Sequence, residues 1–152
     1  ACARARLLAA SPTLTVVSTN PVGFLWSAPV SFLARFMTVY ASVIAVTKDL
    51  GDVEGDRIGG INTFARRFGA RNVARAASAV LGLNYATAIV TALLASPGTF
   101  RCWVMVPGHA LAAALLTRSS VQLDTNSSRS LQLYYQQIWN LFYFEYALYP
   151  FI

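Results

Sequence analysis

The run PVSFLARFMTVYASVIAVT, Pro29 to Thr47, carries one charge, Arg35, in nineteen residues. A helix rises about 1.5 Å per residue, so a run of this length can cross a hydrocarbon layer of about 30 Å. A second run, AASAVLGLNYATAIVTALLA from Ala76 to Ala95, has no charge at all. Inside lipid a helix satisfies its backbone hydrogen bonds within its own segment, so each run is expected to be a membrane-spanning helix. The composition agrees: 56% of residues are hydrophobic, 12% are charged and the mean hydropathy is +0.50. A soluble domain is roughly a quarter charged, and this chain has too little charge to cover a globule of its size.

Two further runs complete the pattern. CWVMVPGHALAAALLT, Cys102 to Thr117, contains Pro107 and Gly108 and reads as a kinked span. LQLYYQQIWNLFYFEYALYPFI, Leu131 to Ile152, is aromatic-rich, which suits ends at the membrane interface. The expectation is an all-α, multi-span transmembrane bundle of four spans, with part of another before them. Residues 1–152 form one unit without a soluble domain or repeat. Residues 1–20, rich in Arg, Ala, Ser and Thr, resemble either a transit peptide or the remnant of a longer chain, and the second reading is preferred.

Twelve basic residues against six acidic ones give a net charge of +6. Most of the Arg lies in short connections between apolar runs, the membrane-protein pattern, so nucleic acid is not an expected partner. Lys48, Arg57, Arg66, Arg67, Arg71, Arg75, Arg118 and Arg129 fall on one side of the spans; Arg4, Arg6 and Arg101 fall on the other. That bias puts the loop after the first span on the cytoplasm-like side, which in an organelle is the matrix or stroma. Arg35 is expected to snorkel to the nearer interface. Cys2 and Cys102 are too few and too far apart for a zinc knuckle or a disulfide framework.

The stretch KDLGDVEGD, Lys48 to Asp56, holds four of the six acidic residues. On a continuous helix Asp49, Asp52 and Asp56 stand at i, i+3 and i+7 and share a face, while Glu54 points elsewhere. Three carboxylates on one face repel one another unless a cation lies between them. Hard cations such as Mg²⁺ take oxygen ligands, commonly one or two carboxylates and substrate phosphates. A solvated loop cap would not explain why an acid-poor chain gathers its acids at a membrane edge. The spacing fits neither an EF-hand nor a Walker phosphate loop. Lys48 and Arg57 bracket the cluster and suit a diphosphate, whose charge metal and side-chain cations can both neutralise. Gly51 and Gly55 would weaken a helix; they are expected to admit a bulky anion or to end the span near Lys48.

An Asp-rich loop of the form KDxxDxxGD after an apolar helix resembles the second Asp-rich motif of the UbiA family of intramembrane prenyltransferases. SFLARFMTVYASVIAVTKDLGDVEGDRIGGINTFARRFGARNVA and YYQQIWNLFYFEYALYPFI are similar to its plastid homogentisate-prenylating members, over about residues 21–152. The resemblance implies transfer of a polyprenyl group from its diphosphate to homogentisate with loss of CO₂, in prenylquinone synthesis at a plastid membrane. Asp49, Asp52 and Asp56 would hold Mg²⁺ as metal ligands and catalytic residues, and Lys48 and Arg57 would bind diphosphate. Solanesyl and phytyl donors both stay open. The family's usual Pro in KDLPD is Gly51 here, and the first, NxxxD-type motif does not occur, since no acid precedes Asp49. The chain therefore resembles the C-terminal half of such an enzyme, and activity of this chain alone is doubtful. A transport segment with a divalent-cation site and an inactive fragment are the other readings.

Other polar and aromatic residues carry weaker signals. His109 is expected to make a helix-packing hydrogen bond rather than to shuttle protons. Glu145, the only charge in the last span, is either a polar partner inside the bundle or a substrate contact. Tyr134, Tyr135, Trp139, Phe142, Tyr143, Phe144 and Tyr146 are expected to pack and anchor rather than to line a prenyl channel. The Asn126 sequon lies on the wrong side to be used.

Overall fold

The computed structural model describes residues 27–152. The expected remnant at 1–20, the partial span before Pro29, Cys2, Arg4 and Arg6 lie outside the described residues. Among the described residues there are helices and turns and no strand, as an all-α chain requires. Helix α1 is Ala28–Thr47, followed by a 3-10 turn, Lys48–Asp52. Two short helices, α2 (Val53–Ile58) and α3 (Phe64–Phe68), form the polar connection. Three long helices follow: α4 (Ala70–Leu94), α5 (Cys102–Val121) and α6 (Ser128–Leu148).

Each long helix buries one stripe. In α1 the buried residues are Phe32, Phe36, Tyr40, Val43 and Thr47; in α6 they are Leu131, Tyr134, Ile138, Leu141 and Glu145. Steps of three and four keep such residues on one face of a 3.6-residue helix. The stripe of α4 contains Ala74, Ala77, Ala88 and Ala92, and that of α5 contains Ala112. These small side chains let α4 and α5 approach closely, the device membrane helices use where hydrophobicity does not drive association. The opposite faces are apolar too: Leu94, Trp103 and Leu83 are 80%, 71% and 67% exposed. Such a surface calls for lipid or protein cover.

Polar side chains in the interior pair with each other. The Tyr40 and Tyr85 hydroxyls lie 2.8 Å apart and tie α1 to α4. The Tyr134 hydroxyl donates to the Ala74 carbonyl at 3.1 Å and lies 2.6 Å from the Ser78 hydroxyl. Asn84 donates to the Phe36 carbonyl at 3.2 Å.

All four apolar runs become long helices, but they are not equally apolar. Ala70–Leu94 and the helical stretch beginning at Ala28 are long and apolar enough to cross a membrane. Helices α5 and α6 do not meet that measure, although each has the length of a span. The reason lies in their composition: α5 continues through Arg118, Ser119 and Ser120, and α6 carries Arg129 with Gln132, Gln136, Gln137 and Asn140. The expected loop at 118–130 shrinks accordingly to 122–127. Pro107 stays inside α5.

The Tyr40–Tyr85 pair gives a direct energetic expectation. Tyr40→Phe or Tyr85→Phe leaves one buried hydroxyl without its partner, whereas the double variant removes both. Unfolding measurements in bilayers should give each single variant a loss of about 1 kcal/mol and the double variant less than the sum. Strict additivity would show that the two hydroxyls do not interact.

Candidate functional site

Thr47, at the end of α1, donates its hydroxyl to the Val43 carbonyl at 2.8 Å. The chain then tightens into the 3-10 turn, and Leu50, fully buried, pins that turn to the core. The carboxylates fall around this anchor. Asp49 is half-buried and Asp52 is exposed, while Asp56 is buried at 8% exposure. Lys48 is exposed and makes no ion pair among the described residues.

The expected single helix through the cluster does not form. Asp52 has φ −126° and ψ 31°, outside the helical region, and separates the 3-10 turn from α2. That break destroys the i, i+3, i+7 projection, which assumed 100° per residue throughout. Among the described residues no three Asp, Glu, His or Cys side chains are grouped so that they could hold a metal ion. The donor set is nevertheless all carboxylate oxygen, the chemistry that hard divalent cations take. It fits a cation held by one or two carboxylates with a ligand's phosphate oxygens completing the shell, and not a three-carboxylate cage.

Glu54 and Arg57 pair with each other. Arg57 donates from Nε to Glu54 Oε2 at 2.9 Å and from Nη2 to Oε1 at 2.6 Å. The hydrogen bond from Arg57 holds the Glu54 carboxyl below the usual carboxylate range. Nη1 is not used in this pair, so Arg57 can meet an anion through Nη1 or by exchanging Glu54 for it. Both side chains are about two-thirds exposed, so this exchange costs little.

Asp56 is organised from the other end of the connection. Its Oδ2 accepts a hydrogen bond from the Thr63 hydroxyl at 3.0 Å, and the Ile61 amide donates to its carbonyl at 2.9 Å. Gly60, at φ 69°, makes the reversal that brings Thr63 back over Asp56. Thr63 also caps α3 by accepting from the Arg66 amide. Sequence reasoning missed Thr63; its signal is a Thr just before the short FARRF segment.

Of the two expectations for the glycines of the motif, the span does end next to Lys48, at Thr47, and the space beside each glycine is taken by protein atoms. A Cβ on Gly55 would collide with the Asp52 carboxylate, which lies over it. A Cβ on Gly51 would stand 2.6 Å from Gln132 Cγ of α6. Gln132 is the second residue missed, and no local signal marks it, because it approaches from eighty residues away.

Next to this loop lies an apolar cleft of about 640 Å³ between α1 and α4. Val43, Val46, Val73 and Ala77 form part of its wall, and Phe64 and Phe68 of α3 close its upper side. His109 and Glu145 are both buried in the interior, with Nε2 and Oε2 3.3 Å apart. The aromatic residues of α6 pack largely with one another: Trp139 meets Tyr135, Phe142 and Tyr143, and Phe142 meets Tyr146.

Thr63→Val should expose the dependence of the loop on the Asp56 contact. It leaves a buried carboxylate oxygen without its donor, at a cost of about 1–3 kcal/mol. Amide exchange across residues 56–63 should accelerate roughly 5- to 100-fold, the Boltzmann equivalent of that cost, while exchange in α4 stays unchanged. Equal protection in both forms would show that the hydrogen bond does not hold the loop.

Comparison with known proteins agrees with this organisation. The profile of the UbiA prenyltransferase family matches residues 7–141. Over 131 residues, 85% of this chain and 34% of the relative, it is 47% identical to homogentisate solanesyltransferase, chloroplastic, of Arabidopsis thaliana. Identity and coverage are the same for probable homogentisate phytyltransferase 2, chloroplastic, of Oryza sativa subsp. japonica. Identity is 38% over 133 residues, 86% of this chain and 32% of the relative, to 2-acylphloroglucinol 4-prenyltransferase of Humulus lupulus. The chain spans about a third of the length of these relatives. No solved structure matches it. With an Asp-rich loop closing an apolar helix, and a family match that covers most of its length, the chain belongs to the UbiA prenyltransferase family.

Proposed function

We propose that this chain carries the diphosphate-binding end of a membrane prenyltransferase that joins a polyprenyl group to homogentisate. The observation that carries the reading is that a connection rich in carboxylates and cations follows directly on an apolar helix that borders an apolar cleft. Asp49 and Asp52 lie on the 3-10 turn, Asp56 follows on α2, and the cleft between α1 and α4 is lined by Val46, two residues before Lys48, and by Phe64, next to Thr63. An allylic diphosphate has the matching form, an anionic head on an apolar tail.

Asp49, Asp52 and Asp56 would hold Mg²⁺, singly or in pairs, against the diphosphate. The bound ion would supply charge neutralisation for the departing diphosphate. Lys48 adds a fixed positive charge beside it, and Arg57 adds another through Nη1 or on release from Glu54. The cleft holds the first part of the isoprenoid chain out of water. The carbon–oxygen bond of the allylic diphosphate breaks, with its electron pair leaving on the diphosphate. The electron-rich homogentisate ring forms the new carbon–carbon bond and gives up the proton of that carbon; its acetate carboxyl leaves as CO₂, and the carbon left behind takes up a proton to become a methyl group.

The relatives' names support homogentisate as the acceptor and leave the donor as solanesyl or phytyl. Their chloroplastic designation supports a plastid membrane. The excess of Arg and Lys on the side of the acidic loop supports a stromal position for it.

The test uses a chimera, because the chain spans about a third of its relatives' length. The matching segment of the Arabidopsis solanesyltransferase is replaced by residues 28–152 of this chain and the product is placed in liposomes. Labelled homogentisate, Mg²⁺ and solanesyl or phytyl diphosphate are supplied. Prenylated product and released diphosphate are expected, and Asp52→Asn or Asp56→Asn should each lower kcat/KM by about 10²–10³. Glu54→Gln should leave it within about fivefold, because Glu54 engages Arg57 and not the ligand. An inserted chimera without transfer, or equal losses at Asp52 and Glu54, would refute the reading.

A further inference from the structure

His109 of α5 and Glu145 of α6 are an ionisable pair that the proposed reaction does not use. Their side chains are 1% and 4% exposed, and Nε2 lies 3.3 Å from Oε2. His109 Nδ1 stands 2.7 Å from the Met105 carbonyl. A carbonyl only accepts, so Nδ1 bears a proton. The contact between Nε2 and Oε2 then requires one more proton, on either atom, since otherwise a lone pair would face a carboxylate. In both placements the pair as a whole is neutral, which is what an interior of hydrocarbon and rings tolerates. Phe32, Phe36 and Tyr85 surround the imidazole, with ring centroids 5.9, 5.4 and 6.3 Å away. At 3.3 Å the Nε2–Oε2 contact is an ion-pair distance without hydrogen-bond geometry, and neither Nε2 nor Glu145 Oε1 has a hydrogen-bond partner.

The backbone is shaped to bring this pair together. Gly108 precedes His109, and a Cβ there would stand 2.6 Å from Leu148 Cδ2, one turn beyond Glu145. The other end of α6 makes the second close approach, Gln132 over Gly51 of the carboxylate loop. Sixteen residues separate Gln132 from Leu148, so the two approaches lie about 24 Å apart along one helix. Between them Tyr134 of α6 hydrogen-bonds to Ala74 and Ser78 of α4, while the residues that face each other on α5 and α6 are aliphatic: Ala112, Leu116, Ile138 and Leu141. Aliphatic surfaces distinguish one helix register from the next weakly, and a single buried polar contact does so strongly.

We infer that His109 and Glu145 are positioning residues: sharing one proton, they fix the register of α6 and so hold Gln132 against Gly51 and the carboxylate loop in its binding shape. The inference rests on the reading of that loop as the diphosphate site.

The test measures register directly in the full chain in liposomes. In a Cys2→Ser, Cys102→Ser background, Gly51→Cys and Gln132→Cys supply a reporter pair, and the second substitution removes the Gln132 atoms that would crowd the first. Ser78→Cys with Ser120→Cys supplies a control pair in a separate sample, since the two hydroxyls lie 2.7 Å apart across α4 and α5. The initial rate of disulfide formation is read for each. Glu145→Gln, whose amide donates to Nε2, should keep the 51–132 rate within about twofold. Glu145→Leu and His109→Leu should lower it roughly fivefold or more and leave the 78–120 rate unchanged. The inference is overturned by an unchanged 51–132 rate in the Leu variants, by Glu145→Gln behaving as Glu145→Leu, or by joint collapse of both rates, which would make the pair a general folding requirement. Magnesium-dependent binding of a prenyl thiodiphosphate is read on the same samples. Its absence from the parent with the disulfide pattern intact counts against the diphosphate reading alone and leaves the register role standing.

Discussion

Hydrocarbon offers no hydrogen bonds, and the organisation of this chain follows from that constraint. Each apolar run must close its backbone bonds within itself, which makes it a helix. Each polar side chain drawn inside must bring a partner. Tyr40 meets Tyr85, Tyr134 meets Ser78 and the Ala74 carbonyl, and His109 meets Glu145. Four of the carboxylates fall in the connection after α1, and Arg71, Arg118 and Arg129 lie in the end turns of the long helices. Among the described residues, Asp49, Asp52 and Asp56 all lie in the connection that follows α1, and an apolar cleft lies between α1 and α4.

The long helices were legible because a 3.6-residue period needs only local information. The stripe Phe32, Phe36, Tyr40, Val43 and Thr47 can be drawn on the sequence and is the buried face of α1. The extent of α5 and α6 was less legible. Arg118 to Val121 and Ser128 to Ser130 look like loop by composition, yet they are helical because neighbouring helices cover one face.

The candidate site was legible in content and not in geometry. Four acids in nine residues mark the place, but the projection onto one helix failed at Asp52, where the backbone leaves the helical region. Gly51 and Gly55 were visible as helix-weakening residues, while what fills the space they leave was not. Gln132 is eighty residues distant in sequence, and the Asp52 carboxylate folds back onto its own turn. Thr63 carried the signature of a helix cap and gave no sign that it also serves Asp56. Arg57, expected to bind an anion, is paired with Glu54 three residues before it, which the spacing alone did not bring out.

The central claim is that the carboxylate loop binds an isoprenoid diphosphate through a divalent cation. Its most direct test is the binding of a non-hydrolysable farnesyl thiodiphosphate to the chain in lipid nanodiscs, by calorimetry with and without Mg²⁺. The account predicts saturable binding that requires both Mg²⁺ and the diphosphate head, with farnesol failing to compete. Binding of equal affinity without Mg²⁺, or displacement of the diphosphate by farnesol alone, would contradict it.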